Sequence, residues 1–192
     1  RYHLFDTSEQ AISKWKKSYK RMLQEIAFYN GSNKRLLLKN PHNTARIKVL
    51  KDMFPNAKFI FIHRNPYEVY KSTEHLYKRT IKSQFLQKFS DEEISECVIS
   101  CYELVMKQYL ELKRSIPKDQ LTEISFNELS NNPLSSLEDI YRTLNIAGFD
   151  KIKPSFENYI KDQKNYKKNK FNELPEALKS KLKDRWGFAF KA

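Results

Sequence analysis

The run Phe59-Ile60-Phe61-Ile62 is apolar at every position, and Pro66 follows four residues later. A strand with one wet face alternates apolar and polar side chains, so a run without alternation predicts a strand covered on both faces. Proline lacks an N–H and suits the first turn of a helix, where that donor has no helical partner. The stretch therefore predicts a buried strand that leads directly into a helix from about Pro66 to Arg79. Two other segments read as strands: Lys34–Pro41, KRLLLKNP, ended by its proline, and Leu121–Ser125, LTEIS.

Helices separate them. Ile12, Trp15, Tyr19, Met22, Leu23 and Ile26 recur at spacings of three and four, which predicts an amphipathic helix over residues 8–29. Asn43 or Thr44 can cap a second helix over Ala45–Phe54, and Phe54-Pro55-Asn56-Ala57 makes the return turn. A long helix follows from Asp91 to about Arg114. Strands alternating with helices predict an α/β fold: a three-layer parallel sheet with helices on both faces. Further on come a helix over Asn131–Ile146 that stops near Gly148, a short one over Pro154–Gln163, a basic loop over Gln163–Glu173, and a last helix over Leu174–Phe188 with a stop at Gly187. With no repeat and no low-complexity linker, residues 1–192 read as one domain.

Thirty-six Lys and Arg against 23 Asp and Glu leave a net charge of +13, which draws anions such as nucleotide phosphates, sulfated sugars, anionic lipid or nucleic acid. Lysines interleaved with Asn and Glu are equally the ordinary dress of a wet surface. No run reaches the roughly 18–20 apolar residues of a membrane-spanning helix, and residues 1–10 hold no apolar signal-peptide core. Cys97 and Cys101 fall one turn apart on one helix face, as small core residues do; no Cys/His ligand set accompanies them, and a reduced cytoplasmic compartment is expected.

In open parallel sheets, ligands gather beyond the carboxyl ends of the strands. Lys39 and His42 follow the first apolar run there, and His63 and Arg64 follow the second. Arg64, Ser72 eight residues on, and nearby peptide N–H groups make a site for a phosphate. The plain alternative pairs Arg64 with Glu68 one turn along and leaves Ser72 in solvent. His63 reads as a packing residue at the strand end.

These segments, LLLKNPHNTARI, FPNAKF and FIHRNPYEVYKST, resemble the sulfotransferases that use 3′-phosphoadenosine 5′-phosphosulfate, in a branch similar to the glycan and tyrosylprotein enzymes. The resemblance implies a fold related to the P-loop nucleotide kinases. It also implies that Arg64 and Ser72 bind the donor's 3′-phosphate and that Lys39 contacts the sulfuryl group and stabilises the leaving oxygen. His42 stands one position before the place where relatives carry a histidine and is a candidate general base; other relatives use a glutamate of the donor loop. The Phe126-Asn127-Glu128-Leu129 stretch with Asn132-Pro133 resembles an element whose aromatic residue contacts adenine, which gives Phe126 that role. Tyr166, Lys167 and Lys168 lie where the family carries a basic loop that closes over the donor. Its second phosphate-binding strand and loop, for the 5′-phosphosulfate, have no match among the three glycines Gly31, Gly148 and Gly187, and are expected before Arg1.

The expected activity is sulfuryl transfer from 3′-phosphoadenosine 5′-phosphosulfate to an acceptor hydroxyl, a sugar among the candidates, with no metal and no nucleic-acid partner. Tyr77, Phe85 and Phe89 can line an acceptor cleft or simply pack in the core. A non-catalytic basic module that binds nucleotide, sulfated glycan or RNA is the alternative. A nucleotide kinase would need a glycine-rich Lys-Ser/Thr loop and a magnesium carboxylate, which the sequence lacks.

Overall fold

The computed structural model describes residues 7–31, 33–81, 87–163, 169 and 171–190, and its chain divides into two compact units, Arg1–Ala57 and Lys58–Ala192. In the first unit, α1 (Glu9–Asn30) starts at Ser8, whose hydroxyl accepts from the Ala11 N–H at 3.3 Å. Of its apolar stripe Leu23 is buried and Met22 is exposed, while Trp15 and Tyr19 stack at 4.6 Å. The Arg46 guanidinium lies over the Trp15 ring at 5.2 Å. A 3-10 turn over Pro41–Arg46 runs into α2 (Ile47–Met53), which buries Ile47 and Leu50. The cap lies on the 3-10 turn, at Asn40, earlier than Asn43 or Thr44: Asn40 Oδ1 accepts from the His42 N–H at 3.0 Å, and Pro41 takes the turn's first position, while α2 follows Arg46 with no side-chain cap.

The expected strand at Lys34–Pro41 is not one in this structure. Residues 35–40 lie outside any ladder among the described residues, and Leu37 is 87% exposed. A strand is made by its neighbour's hydrogen bonds as much as by its own apolar character, and nothing described pairs with this segment.

In the second unit, β1 (Phe59–His63) and β2 (Leu121–Ser125) pair in parallel, Phe59 opposite Leu121 and His63 opposite Ser125. Between them the chain crosses through α3 (Pro66–Leu76), continued by a π-helical turn over Tyr77–Ile81, and α4 (Asp91–Leu112). Ser90 and Glu93 form a reciprocal capping box at the start of α4. Helix α5 (Phe126–Asn131) leaves β2 directly, and α6 (Pro133–Thr143), α7 (Phe149–Asp162) and α8 (Glu176–Trp186) complete the unit.

Alternation along the strands sends Phe61 to one face, where it stacks on Tyr109 of α4 at 3.9 Å, and Ile124 to the other, where it packs with Ile140 and Leu144. Helices thus lie on both sides of the parallel pair, as expected of an α/β fold. The cover is uneven: Ile60 and Ile62 are 38% and 49% exposed, and the α6 cluster is built on Ile124 of β2. His63 is exposed and does not pack at the strand end.

The main core joins α3, α4 and α8 through Tyr70, Val98, Ile99, Leu182 and Trp186. Trp186 is fully buried and its indole N–H donates to the Ile99 carbonyl at 3.1 Å. Tyr77 packs against this core. Helix α7 begins five residues before the expected Pro154, after Gly148 at φ +90°, because Phe149 and Phe156 join Tyr141 of α6 in a ring cluster at 5.3 and 6.1 Å. Gly187 ends α8 with φ −50°, so its place owes nothing to a left-handed turn.

Candidate active site

The register of the sheet builds the site's edge. His63 and Ser125 are the last paired residues of two parallel strands, so the next residues, Arg64 and Phe126, emerge side by side at the carboxyl edge. The Arg64 guanidinium carbon sits 4.8 Å from the centroid of the Phe126 ring. Both strands turn straight into helices by the same device: Asn65 Oδ1 accepts from the Tyr67 N–H at 2.9 Å, and the Ser125 hydroxyl accepts from the Asn127 N–H at 3.1 Å.

Arg64 also donates to Glu68 Oε2 at 3.5 Å, the i,i+4 pair expected of the plain alternative. Ser72 lies one further turn of α3 beyond Glu68, about 6 Å along the axis. Glu68 is shared: its other oxygen takes an ion pair from Lys71, whose side chain is only 15% exposed. Arg64, Lys71 and the half-buried Ser72 therefore all neighbour Glu68 on one helix face, at i−4, i+3 and i+4. Lys71 escapes a reading based on Arg64 and Ser72 alone; its position three residues after the glutamate is the signal that finds it.

In the first unit Lys39 is exposed directly after Leu37 and Leu38, and His42 is half-buried in the 3-10 turn. Burial, and then the Arg46 charge, lower the His42 pKa below its ordinary 6.5, so the ring is neutral at neutral pH. A neutral imidazole can accept a proton. Tyr166, Lys167, Lys168 and Phe85 lie outside the described residues. Among the described residues no group of three or more His, Cys, Asp or Glu side chains is placed to hold a metal ion, and no helix is long and apolar enough to cross a membrane.

Residues 2–151 match the Sulfotransferase family. The omega-hydroxy-beta-dihydromenaquinone-9 sulfotransferases Stf3 of Mycobacterium bovis and Mycobacterium tuberculosis are each 31% identical over 173 residues, 90% of this chain and 44% of theirs. The chain thus spans less than half the length of these curated relatives. The crystal structure of sulfotransferase STF9 from Mycobacterium avium superposes with a TM-score of 0.78 at 18% identity, over 98% of this chain and 48% of that one, and shows that the fold is shared. With its strand-end arginine, its parallel pair and a family match over more than three quarters of its length, the chain belongs to the sulfotransferase family.

Proposed function

We propose that this chain is the part of a sulfotransferase domain that holds the 3′-phosphate and adenine side of 3′-phosphoadenosine 5′-phosphosulfate. The observation that carries the reading is the pair of cations Arg64 and Lys71 on Glu68, with Ser72 one helical turn further on, at the carboxyl edge of two parallel strands in a chain of this family. Arg64 and Ser72 bind the 3′-phosphate, and Phe126 borders the adenine while its ring supports the guanidinium. Tyr166, Lys167 and Lys168 close over the donor.

In the transfer, the bond from sulfur to the acceptor oxygen forms as the bond to the bridging phosphate oxygen breaks. Charge gathers on that leaving oxygen, and the Lys39 ammonium stabilises it more in the transition state than in the ground state. His42, neutral at pH 7, takes the proton of the acceptor hydroxyl.

The acceptor is a hydroxyl. A sugar fits the resemblance to the glycan branch; an apolar carrier such as the menaquinone derivative named for the Mycobacterium relatives is the second reading, favoured by their 31% identity to this chain. Incubating the intact protein with 35S-labelled donor and both classes of alcohol tests the reading. Label moving to one class assigns the acceptor. Tight binding of the nucleotide with no transfer to any alcohol favours the non-catalytic module.

A further inference from the structure

Glu68 stands where an anion belongs. Its carboxylate reaches Arg64 with one oxygen and Lys71 with the other, and Ser72 follows on the next turn of the same face. None of the three charged groups is fully wet: Arg64, Glu68 and Lys71 side chains are 31%, 35% and 15% exposed. In such partly buried surroundings charges interact more strongly than in open water. Lys71 is the least exposed of them, and a lysine held that deep serves its glutamate or something that replaces it.

We propose that Glu68 is the resident counter-anion of the phosphate site and that Lys71 is the site's further cation. Without ligand the carboxylate holds Arg64 and Lys71 apart and aimed inward; when the 3′-phosphate arrives it takes both cations, and Glu68 rotates toward solvent. This rests on the donor reading above and adds two residues to it.

The charge balance requires the exchange. Arg64, Lys71 and Glu68 sum to +1, against a phosphate monoester of about −1.5 to −2 at neutral pH. A phosphate beside an unmoved carboxylate faces a like charge across the same two cations. With Glu68 gone from the centre, two cations and the Ser72 hydroxyl meet the phosphate, and Arg64 remains fixed by the Phe126 ring. The arrangement keeps the empty site from presenting a naked double positive charge, at a cost in affinity.

The test is the affinity of the intact protein for adenosine 3′,5′-bisphosphate by calorimetry, in wild type, Glu68→Gln, Lys71→Met and the double variant, each checked for folding by its melting curve. Glu68→Gln is expected to tighten binding about tenfold and to steepen its salt dependence. Lys71→Met is expected to weaken binding about tenfold in the wild type and again in the Glu68→Gln background, where a lysine that only served Glu68 would have nothing left to do. Weaker or unchanged binding in Glu68→Gln, or no effect of Lys71→Met in that background, overturns the proposal. Glu68→Ala repeats the first arm if the glutamine variant does not fold. Arg64→Ala separates the two readings: unchanged binding there refutes the donor site itself, whereas lost binding there with a flat response to Glu68→Gln refutes only the counter-anion.

Discussion

The guanidinium of Arg64 lies 4.8 Å from the centre of the Phe126 ring because His63 and Ser125 end a parallel register opposite each other. The ring is therefore engaged by the arginine, and that role can be separated from the proposed contact with adenine. Phe126→Leu keeps bulk and loses the quadrupole, a contact worth about 0.5–2 kcal/mol. If the ring acts through Arg64, this variant loses affinity for adenosine 3′,5′-bisphosphate several-fold more than for adenosine 5′-monophosphate. Equal losses would assign the ring to adenine alone.

The neutral state of His42 sets a pH limit. Burial and Arg46 depress its pKa from 6.5, so the ring is neutral at pH 7, and under the proposal that His42 is the base the rate is expected to fall only as pH drops below 6.5. His42→Gln should cost about 100-fold or more in kcat and remove that acid limb. A limb that survives in the variant belongs to another base.

Acid stability is expected to depend on α4 and α8. Glu96 accepts from Lys181 at 2.8 Å and from Arg185 at 2.9 Å, and with Ser100 these hold its pKa down to about 2 against an ordinary 4.5. A depressed carboxylate contributes stability that is complete above the unfolded pKa and is lost as pH falls through the folded one, here between about 4.5 and 2. The group is 46% exposed, so solvent screens the effect and it remains modest. Glu96→Gln should flatten the pH dependence of the melting temperature in that window by lowering it modestly at pH 7 and leaving it almost unchanged near pH 2; an unaltered slope would contradict the assignment.

Two buried residues should answer in opposite ways. Trp186→Ala empties the core between α3, α4 and α8 and removes the indole hydrogen bond to Ile99, a loss of about 3–5 kcal/mol in chemical unfolding. Ser136, 1% exposed, has a hydroxyl without a hydrogen-bond partner among the described residues, so Ser136→Ala should be neutral or stabilising by up to about 1 kcal/mol. A clear loss on Ser136→Ala would reveal a partner.

Local chemistry was the legible part. FIFI followed by Pro66 located β1 and α3, the alternation of strand and helix predicted the parallel pair, and Arg64 was placed at the edge by its neighbours in sequence. LLLK misled because apolar character makes a strand only where a ladder partner exists, and none is present among the described residues. The stacking of Arg64 on Phe126 spans 62 residues and depends on register, which the residues alone do not state. Helix spacing could have offered Lys71, but only the structure shows how little of it is exposed.

The central claim is a site for a 3′-phosphate at Arg64 and Ser72. The most direct measurement compares binding of adenosine 3′,5′-bisphosphate and adenosine 5′-monophosphate to the intact protein, in wild type, Arg64→Ala and Ser72→Ala. The account predicts a strong wild-type preference for the bisphosphate, cut at least tenfold by Arg64→Ala and by a smaller factor in Ser72→Ala, with the monophosphate scarcely affected. Equal binding of the two nucleotides by the wild type, or a preference untouched by Arg64→Ala, would contradict it.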